Sequence, residues 1–503
     1  MLHMAERAII SINPATLEEL GRVPKLSASE VDSAVAKART AQPAWAALSF
    51  RERAKYILRA KDILLDRQDE ICDLVAREVG KPRVEALAGE VIPVANLMDY
   101  FARTSAKLLR DEQFTLSVFR NKKSRIHFFP LGVVGIISPW NYPLAIPTGE
   151  VVMGLMAGNA VLLKPSEYTP LVGLKIGELF RAAGLPEGIL QVLTGDGATG
   201  AALAAAAIDK IFFTGSVRTG KQIAETAARR LLPFVLELGG KDAMIVCADA
   251  PFERTVNGAL WGAFSNCGQT CASVERLYVV ESIADKFIAA VVAKTKTLRV
   301  GIDGTQPTDI GALTNANQLR IVTEQIDDAL AKGARVLTGG KRIESLPGYF
   351  FEPTVLVGVS DSMRVMQEET FGPVLPIIVV RDEAEAIHEA NRSNFGLLAS
   401  VWTKDTARGK QIAAQVEAGT VIINDVIFTH SAAETPWFGV KESGCGVTHS
   451  KHGLREFIQM KHINWDVLPM KTNPWWFPYS EKKRRNFKLL AQVLHKWGLK
   501  KWI

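Results

Sequence analysis

Val133-Val134-Gly135-Ile136-Ile137-Ser138, Ala160-Val161-Leu162-Leu163, Leu190-Gln191-Val192-Leu193 and Lys210-Ile211-Phe212-Phe213 are short apolar runs. Between them lie stretches of helical spacing near residues 150–157, 171–183 and 219–229. Strands apolar on both faces that alternate with helices signal a parallel sheet covered on both sides. A second alternation follows in Ala243-Met244-Ile245-Val246, Arg276-Leu277-Tyr278-Val279-Val280 and Pro376-Ile377-Ile378-Val379-Val380, with helices around residues 251–265 and 283–298. Ahead of both, residues 29–46, 50–78 and 89–109 carry apolar residues at helical spacing with charges between. Two α/β domains are the natural reading.

The chain has 503 residues, more than one hydrophobic core normally holds, and its 48% hydrophobic and 22% charged content is that of a globular protein. Five scattered cysteines (Cys72, Cys247, Cys267, Cys271 and Cys445) argue against a disulfide framework and fit a reducing compartment. No signal-peptide pattern and no bilayer-length apolar stretch is visible, so a cytoplasmic protein is expected. The formal charge of +7 resides wholly in the last 23 residues, where eight Lys or Arg stand against Glu481 alone. The balanced body makes nucleic-acid binding an unsuitable reading.

Chemistry concentrates in three places. Asn266-Cys267-Gly268-Gln269-Thr270-Cys271 supplies a thiol, Leu236-Glu237-Leu238-Gly239-Gly240-Lys241 a carboxylate, and Pro139-Trp140-Asn141-Tyr142-Pro143 an amide. A cysteine attacks only as thiolate, so it needs an activator, and Glu237 is one. Taken singly, Cys271 reads equally as an inert buried thiol, and Glu237 and Asn141 as turn residues. Gly215-Ser216-Val217-Arg218-Thr219-Gly220 joins a strand to a helix, a geometry that aims backbone N–H groups at pyrophosphate. Gly195-Asp196-Gly197-Ala198-Thr199-Gly200 fits G-x-G-x-x-G, but no acidic residue stands at a strand end about 20 residues on, so alone it is a weak match. Cys267 and Cys271 form C-x-x-x-C with no second ligand pair, which is poor zinc spacing, and no metal is expected.

These segments, with Lys164-Pro165-Ser166-Glu167, Phe213-Thr214-Gly215-Ser216, Glu368-Glu369-Thr370-Phe371-Gly372-Pro373 and Asn394-Phe395-Gly396-Leu397, closely resemble the aldehyde dehydrogenase superfamily in the same order along the chain, from about Asn13 to about Phe457. The resemblance implies a Rossmann-type cofactor domain, an α/β catalytic domain and a β-ribbon oligomerisation arm. Residues 1–118 and 131–236 would form the first, 237–446 the second, and 119–130 with 447–470 the arm, leaving 471–503 as a basic aromatic tail. It implies that Cys271 attacks an aldehyde, that Asn141 with the Cys271 backbone N–H binds the developing oxyanion, and that Glu237 activates the hydrolytic water. Trp140, Lys164, Glu167, Gly197, Gly215, Ser216, Gly220, Leu238, Glu369 and Phe371 would hold the cofactor. Lys164 and Glu167 would hold the adenosine ribose; a carboxylate there repels a 2′-phosphate, so NAD is expected, with NADP as the alternative. A homodimer or homotetramer is implied.

The chain also departs from the family pattern. Pro436-Trp437-Phe438-Gly439 places two aromatic rings where the substrate tunnel is expected, and Val447-Thr448-His449 stands where some relatives carry a glutamate. Asn424-Asp425 and Phe477-Pro478-Tyr479-Ser480-Glu481-Lys482 resemble the class 3 and fatty-aldehyde branches. The expected activity is therefore oxidation of an aliphatic, medium- or long-chain aldehyde to its acid. Succinate semialdehyde or another small aldehyde is the alternative, and a catalytically silent membrane-associated scaffold the alternative of another class. In the tail, Trp475-Trp476-Phe477 precede a helix on which Phe487, Leu490, Leu494 and Trp497 share a face. That composition suits a membrane surface, or else a helix docked on protein.

Overall fold

In the computed structural model, which describes residues 8–468 and 470–496, the first alternation forms a six-stranded sheet. Its parallel core runs Phe234–Glu237, Lys210–Thr214, Val133–Ile137, Ala160–Lys164, Leu190–Val192. The strand order reverses between Val133–Ile137 and Lys210–Thr214, and ligands of doubly wound sheets bind outside the carboxyl ends of strands at such a switch. Trp140 and Asn141 follow the first of these strands, Gly215 and Ser216 the second. The late strand Gly444–Cys445 returns to pair antiparallel with Phe234–Glu237, so residues of the expected catalytic segment close the cofactor-side sheet.

The second alternation forms a seven-stranded sheet whose order is Arg335–Thr338, Thr354–Val357, Val374–Val380, Val274–Val280, Asp242–Val246, Leu398–Trp402, Thr420–Ile423. Only its first pair is antiparallel. All seven residues of Val274–Val280 are buried, as a strand covered on both faces requires. The chain leaves one sheet at Glu237 and enters the other at Asp242, with Gly239 and Gly240 between. Glu237 therefore sits where the two sheets meet.

The helical start differs in detail from the sequence expectation. Helices Ala28–Ala46 and Phe50–Asp66 each begin with a capping box, Ser27 with Glu30 and Ser49 with Glu52. The expected helix 50–78 is two, Phe50–Asp66 and Gln68–Val79, broken at Arg67, whose guanidinium binds Glu70 and Glu178. Ahead of helix Ile92–Leu108 a π-turn, Leu87–Val91, rotates Glu90 into the interior. Helix Ala145–Met156 is buried along its whole length, Glu150 included.

Two compact units emerge. The larger takes in the chain to Leu108 and Pro130–Ile458, both sheets among it. The smaller, Leu109–Phe129 with the chain from Gln459 onward, is built on a three-stranded antiparallel sheet of Ile458–Asp466, Lys122–Pro130 and Glu112–Thr115. The expected arm boundaries shift accordingly. Glu112–Thr115 belongs to the ribbon because it pairs with Lys122–Pro130, whereas helix Ser450–Arg455 belongs to the larger unit, where Leu454 is fully buried. Within the smaller unit Lys122 pairs with Asp466 at 2.7 Å, and the Trp475 ring meets Phe119 edge-on at 5.2 Å. Helix Glu481–Ala491 has no buried residue. Trp497, expected on its apolar face, lies outside the described residues, and no helix among them is long and apolar enough to cross a membrane.

Candidate active site

Cys271 follows a loop that few residues could build. Asn266 and Cys267 both take left-handed backbone angles (φ 51° and 56°), and Gly268 has φ 72°. A Cβ at Gly268 would stand 2.1 Å from the Gly372 carbonyl oxygen, so only glycine fits. The Asn141 amide donates one N–H to the Gln269 carbonyl at 3.0 Å, and the Asn266 amide donates to the Asn141 carbonyl at 3.0 Å. An amide nitrogen carries two N–H groups, so Asn141 is pinned beside the thiol loop with one still to give.

Two buried ion pairs brace this arrangement, and neither stood out in the sequence. Lys81 bonds Glu90 at 2.8 Å and the Asn141 carbonyl at 2.7 Å. Glu90 in turn accepts from the Leu144 and Ala145 N–H groups, fixing the start of helix Ala145–Met156. On the other side Lys241 pairs with Glu275 at 2.5 Å, and Glu275 accepts from the N–H groups of Thr370 and Phe371. That pair holds the loop carrying Glu369 and Phe371. Glu369 accepts from the Gly240 N–H at 3.0 Å, and a Cβ at Gly239 would fall 2.4 Å from its carboxylate.

Cys271 borders three cavities. The first, about 530 Å³, is lined by Trp140, Asn141, Gly215, Ser216, Glu237, Leu238, Glu369 and Phe371 among others. Trp140 and Phe371 meet edge-on at 5.3 Å in its wall. Ser216 caps helix Val217–Ala228, whose amino end opens beside it. The second cavity, about 360 Å³, lies on the other side of the thiol. It is walled by Val84, Tyr142, Ile146, Trp261, Ile427, Phe428 and Trp437 and carries one carboxylate, Glu85. The third, about 20 Å³, touches Glu150, Thr214, Glu237, His430 and His449.

The remaining expected cofactor residues lie outside the lining of the 530 Å³ cavity. Lys164 ends the strand next to Val133–Ile137 and pairs with Glu167 at 3.4 Å. Gly220 lies in the first turns of helix Val217–Ala228 against Leu238. Gly197 opens helix Gly197–Ala205, where a Cβ would meet nothing. Of the two aromatic rings expected in the tunnel only Trp437 lines it; Phe438 turns towards Gly419.

Burial governs the charge state here. It pushes the Cys271 thiol well up, with Asp242, Glu369 and Glu237 adding to the effect. Burial, then Glu150, raises the Glu237 carboxyl well above the usual carboxylate range. Glu369 rises to about 8 through burial and the Glu275 charge. Neither Glu237 oxygen has a hydrogen-bond partner among the described residues. A thiol, a carboxyl and an amide thus converge in a buried pocket between a phosphate-suited helix end and an apolar chamber.

Such a fold and site define an α/β protein with one thiol where three cavities meet. Residues 2–463 match the profile of the Aldehyde dehydrogenase family. The 4,4'-diapolycopene aldehyde oxidase of a Methylomonas species is 40% identical over 95% of this chain and 90% of its own. A protein of Mycobacterium ulcerans provisionally named succinate-semialdehyde dehydrogenase (NADP(+)) 2 is 39% identical over 89% of this chain and 86% of its own. The crystal structure of a Mycobacterium tuberculosis aldehyde dehydrogenase complexed with NAD+ superposes with a TM-score of 0.88 at 36% identity, covering 93% of this chain and 95% of that one. The chain belongs to the aldehyde dehydrogenase family, and it is an NAD(P)-dependent aldehyde dehydrogenase.

Proposed function

We propose that the protein oxidises aliphatic, medium- or long-chain aldehydes to carboxylic acids with NAD, through a covalent Cys271 adduct. The observation that carries the substrate class is the 360 Å³ chamber beside the thiol. Its lining is apolar and aromatic, and among its described residues there is no Lys or Arg. Burial lowers His430 in its wall to about 4, so that imidazole is neutral. The far carboxylate of succinate semialdehyde would meet no cation there and would face Glu85, a desolvation that lacks compensation. The name of the Methylomonas relative favours the same side; that of the mycobacterial relative favours the small-aldehyde alternative.

The residues around the 530 Å³ cavity fit a dinucleotide: a capped helix amino end beside Gly215 for phosphate and apolar walls from Trp140, Leu238 and Phe371, with the Lys164–Glu167 pair, outside that lining, proposed for a ribose. Two solved relatives hold NAD+, and the mycobacterial relative is named for NADP(+). The bound cofactor supplies the hydride acceptor. Everything else falls to the chain's own groups. Cys271 passes its proton to the Glu237 carboxylate and its sulfur adds to the aldehyde carbonyl, whose oxygen becomes negative within reach of the Asn141 amide. After oxidation the acyl group is held as a thioester. Glu237 takes a proton from the incoming water, and Cys271 leaves as thiolate.

The ribbon of Lys122–Pro130 and Ile458–Asp466 is proposed as the homo-oligomer arm, and the exposed helix Glu481–Ala491 as a membrane-surface element. Phe477 is 75% exposed and Leu489 52%, beside Lys482, Lys483, Arg484 and Arg485. The deciding experiment is NADH absorbance across n-alkanals of increasing length with succinate semialdehyde as comparator. A kcat/KM that rises with chain length carries the reading. One that peaks at succinate semialdehyde overturns it.

A further inference from the structure

Around the 20 Å³ cavity next to the thiol, Glu237 and Cys271 are joined by three groups that the reaction above does not use. Glu150 comes from helix Ala145–Met156, His449 from the turn before helix Ser450–Arg455, and His430 from the short helical turn Phe428–Ser431; Glu237 enters from its strand end and Cys271 from its loop. Both Glu237 oxygens, Glu150 Oε2 and His449 Nδ1 are buried without a hydrogen-bond partner among the described residues. Glu150 and His449 are each 3% exposed. A space of that size holds about one water, and a buried water requires two to four polar partners. Those atoms supply them. The two imidazoles meet edge-on at 4.7 Å, and His430 also borders the larger apolar chamber.

His449 is moreover held in a backbone conformation that side chains avoid, φ 58° and ψ 173°. Residues kept in that region persist only where the surroundings over-determine them, and they cluster at functional sites.

We infer that His449 carries protons between Glu237 and the outside by way of His430, across one water in this cavity that Glu150 helps to position. The inference rests on the reading of Glu237 as general base. During deacylation, with Glu237 as the carboxylate after its own proton has left by the same path, a water O–H breaks, its oxygen bonds to the acyl carbon, and the proton goes to Glu237. The C–S bond breaks with its electron pair on the Cys271 sulfur. Glu237 then passes its proton through the bridging water to neutral His449 Nδ1, and the imidazolium passes one on towards His430. No oxidant or reductant is consumed. Burial, then His430, keeps His449 well below its ordinary range, so the imidazole starts neutral and holds a proton only in passing. Glu150, with only Thr214 bonded to its side chain, faces the same space.

The test isolates deacylation from cofactor chemistry with p-nitrophenyl acetate, which acylates the thiol directly. Nitrophenolate release then shows a first-turnover burst set by acylation and a steady rate set by deacylation. Glycine takes φ 58° without strain, so His449→Gly keeps the backbone. Glu150→Gln is the second variant. Each is expected to leave the burst unchanged, to slow the steady rate about tenfold or more, less than the ~10²–10⁴-fold of a lost general base, and to accumulate acetyl-Cys271 by mass spectrometry. Added imidazole is expected to restore His449→Gly alone, in proportion to its neutral form, which a structural defect would not allow. Wild-type steady rates in both variants, or slowing that imidazole leaves untouched in His449→Gly, would overturn the relay. Glu237→Gln run alongside separates the two readings: if it stalls while the others do not, only the relay fails, and if it deacylates normally the base assignment itself falls.

Discussion

Glu150→Gln should make the protein more resistant to unfolding as pH rises. Glu150 lies in a helix whose other eleven residues are all buried, and burial raises its carboxyl to about 8 from the ordinary 4.5. In the folded chain it therefore keeps its proton across the neutral range, whereas the unfolded chain releases it. The state that binds more protons loses ground as pH rises, so wild-type stability falls between pH 4.5 and 8 on account of this group. From pH 5.5 to 7.5, both inside that window, the loss is about 2–3 kcal/mol at ~1.36 kcal/mol per pH unit. Glutamine has the same shape and no proton to release. Guanidinium unfolding of both proteins at pH 5.5 and 7.5 gives four stabilities, and their double difference removes any pH-independent effect of the substitution. The variant should gain roughly 2–3 kcal/mol relative to wild type between the two pH values. A double difference near zero, or one of opposite sign, would mean that Glu150 ionises freely in the folded protein.

Glu237→Gln should release one equivalent of NADH per site in a burst and then stall, with steady turnover down ~10²–10⁴-fold; a rapid steady state with no acyl-enzyme in mass spectrometry refutes the role. Glu167→Ser should raise the NADP to NAD ratio of kcat/KM by removing a carboxylate next to Lys164; an unchanged ratio places that carboxylate away from the ribose. Gly268→Ala should destabilise by about 2 kcal/mol or more, since alanine at φ 72° also meets the Gly372 oxygen at 2.1 Å, and a wild-type unfolding midpoint would show that the loop is free to move. Cys271→Ala should bind NAD as wild type does by fluorescence titration yet produce no NADH; measurable turnover sinks covalent catalysis.

Local pattern made most of the architecture legible. Seven of the thirteen strands in the two large sheets were visible because a strand buried on both faces must be a continuous apolar run. The thiol, the Glu237 strand end and Asn141 were readable as motifs because each rests on a short segment. What supports them was not. Lys81 and Glu90 meet through a π-turn, and Lys241 reaches Glu275 across two strands. Nothing in the spacing of 81, 90, 241 and 275 announces a contact. Glu150 did leave a signal: it is the one charge in Ala-Ile-Pro-Thr-Gly-Glu-Val-Val-Met-Gly-Leu-Met, and a lone carboxylate in a helix without a polar face has no solvent to turn to. His449 left none, because a positive φ on a non-glycine residue is imposed by tertiary packing.

Placing neutral acids around a thiol also explains how one pocket serves two half-reactions. In the proposed mechanism attack requires Cys271 to lose a proton and hydrolysis requires Glu237 to be a base, and burial opposes both ionisations. A pocket opened to water would ionise them readily and would equally weaken the Asn141 contact to the developing oxyanion, whose strength depends on a low local dielectric. Dryness is therefore retained, and the cost is that every proton must travel by a defined path. The deeply buried side of the thiol is where unpaired Glu150 and His449 atoms collect, while the substrate side is lined by rings and aliphatic chains. An apolar aldehyde entering that chamber displaces water and strengthens the same electrostatics, whereas a charged one would bring its hydration shell with it. In the proposed mechanism, substrate selection and catalysis are therefore coupled through the one chamber that borders the thiol.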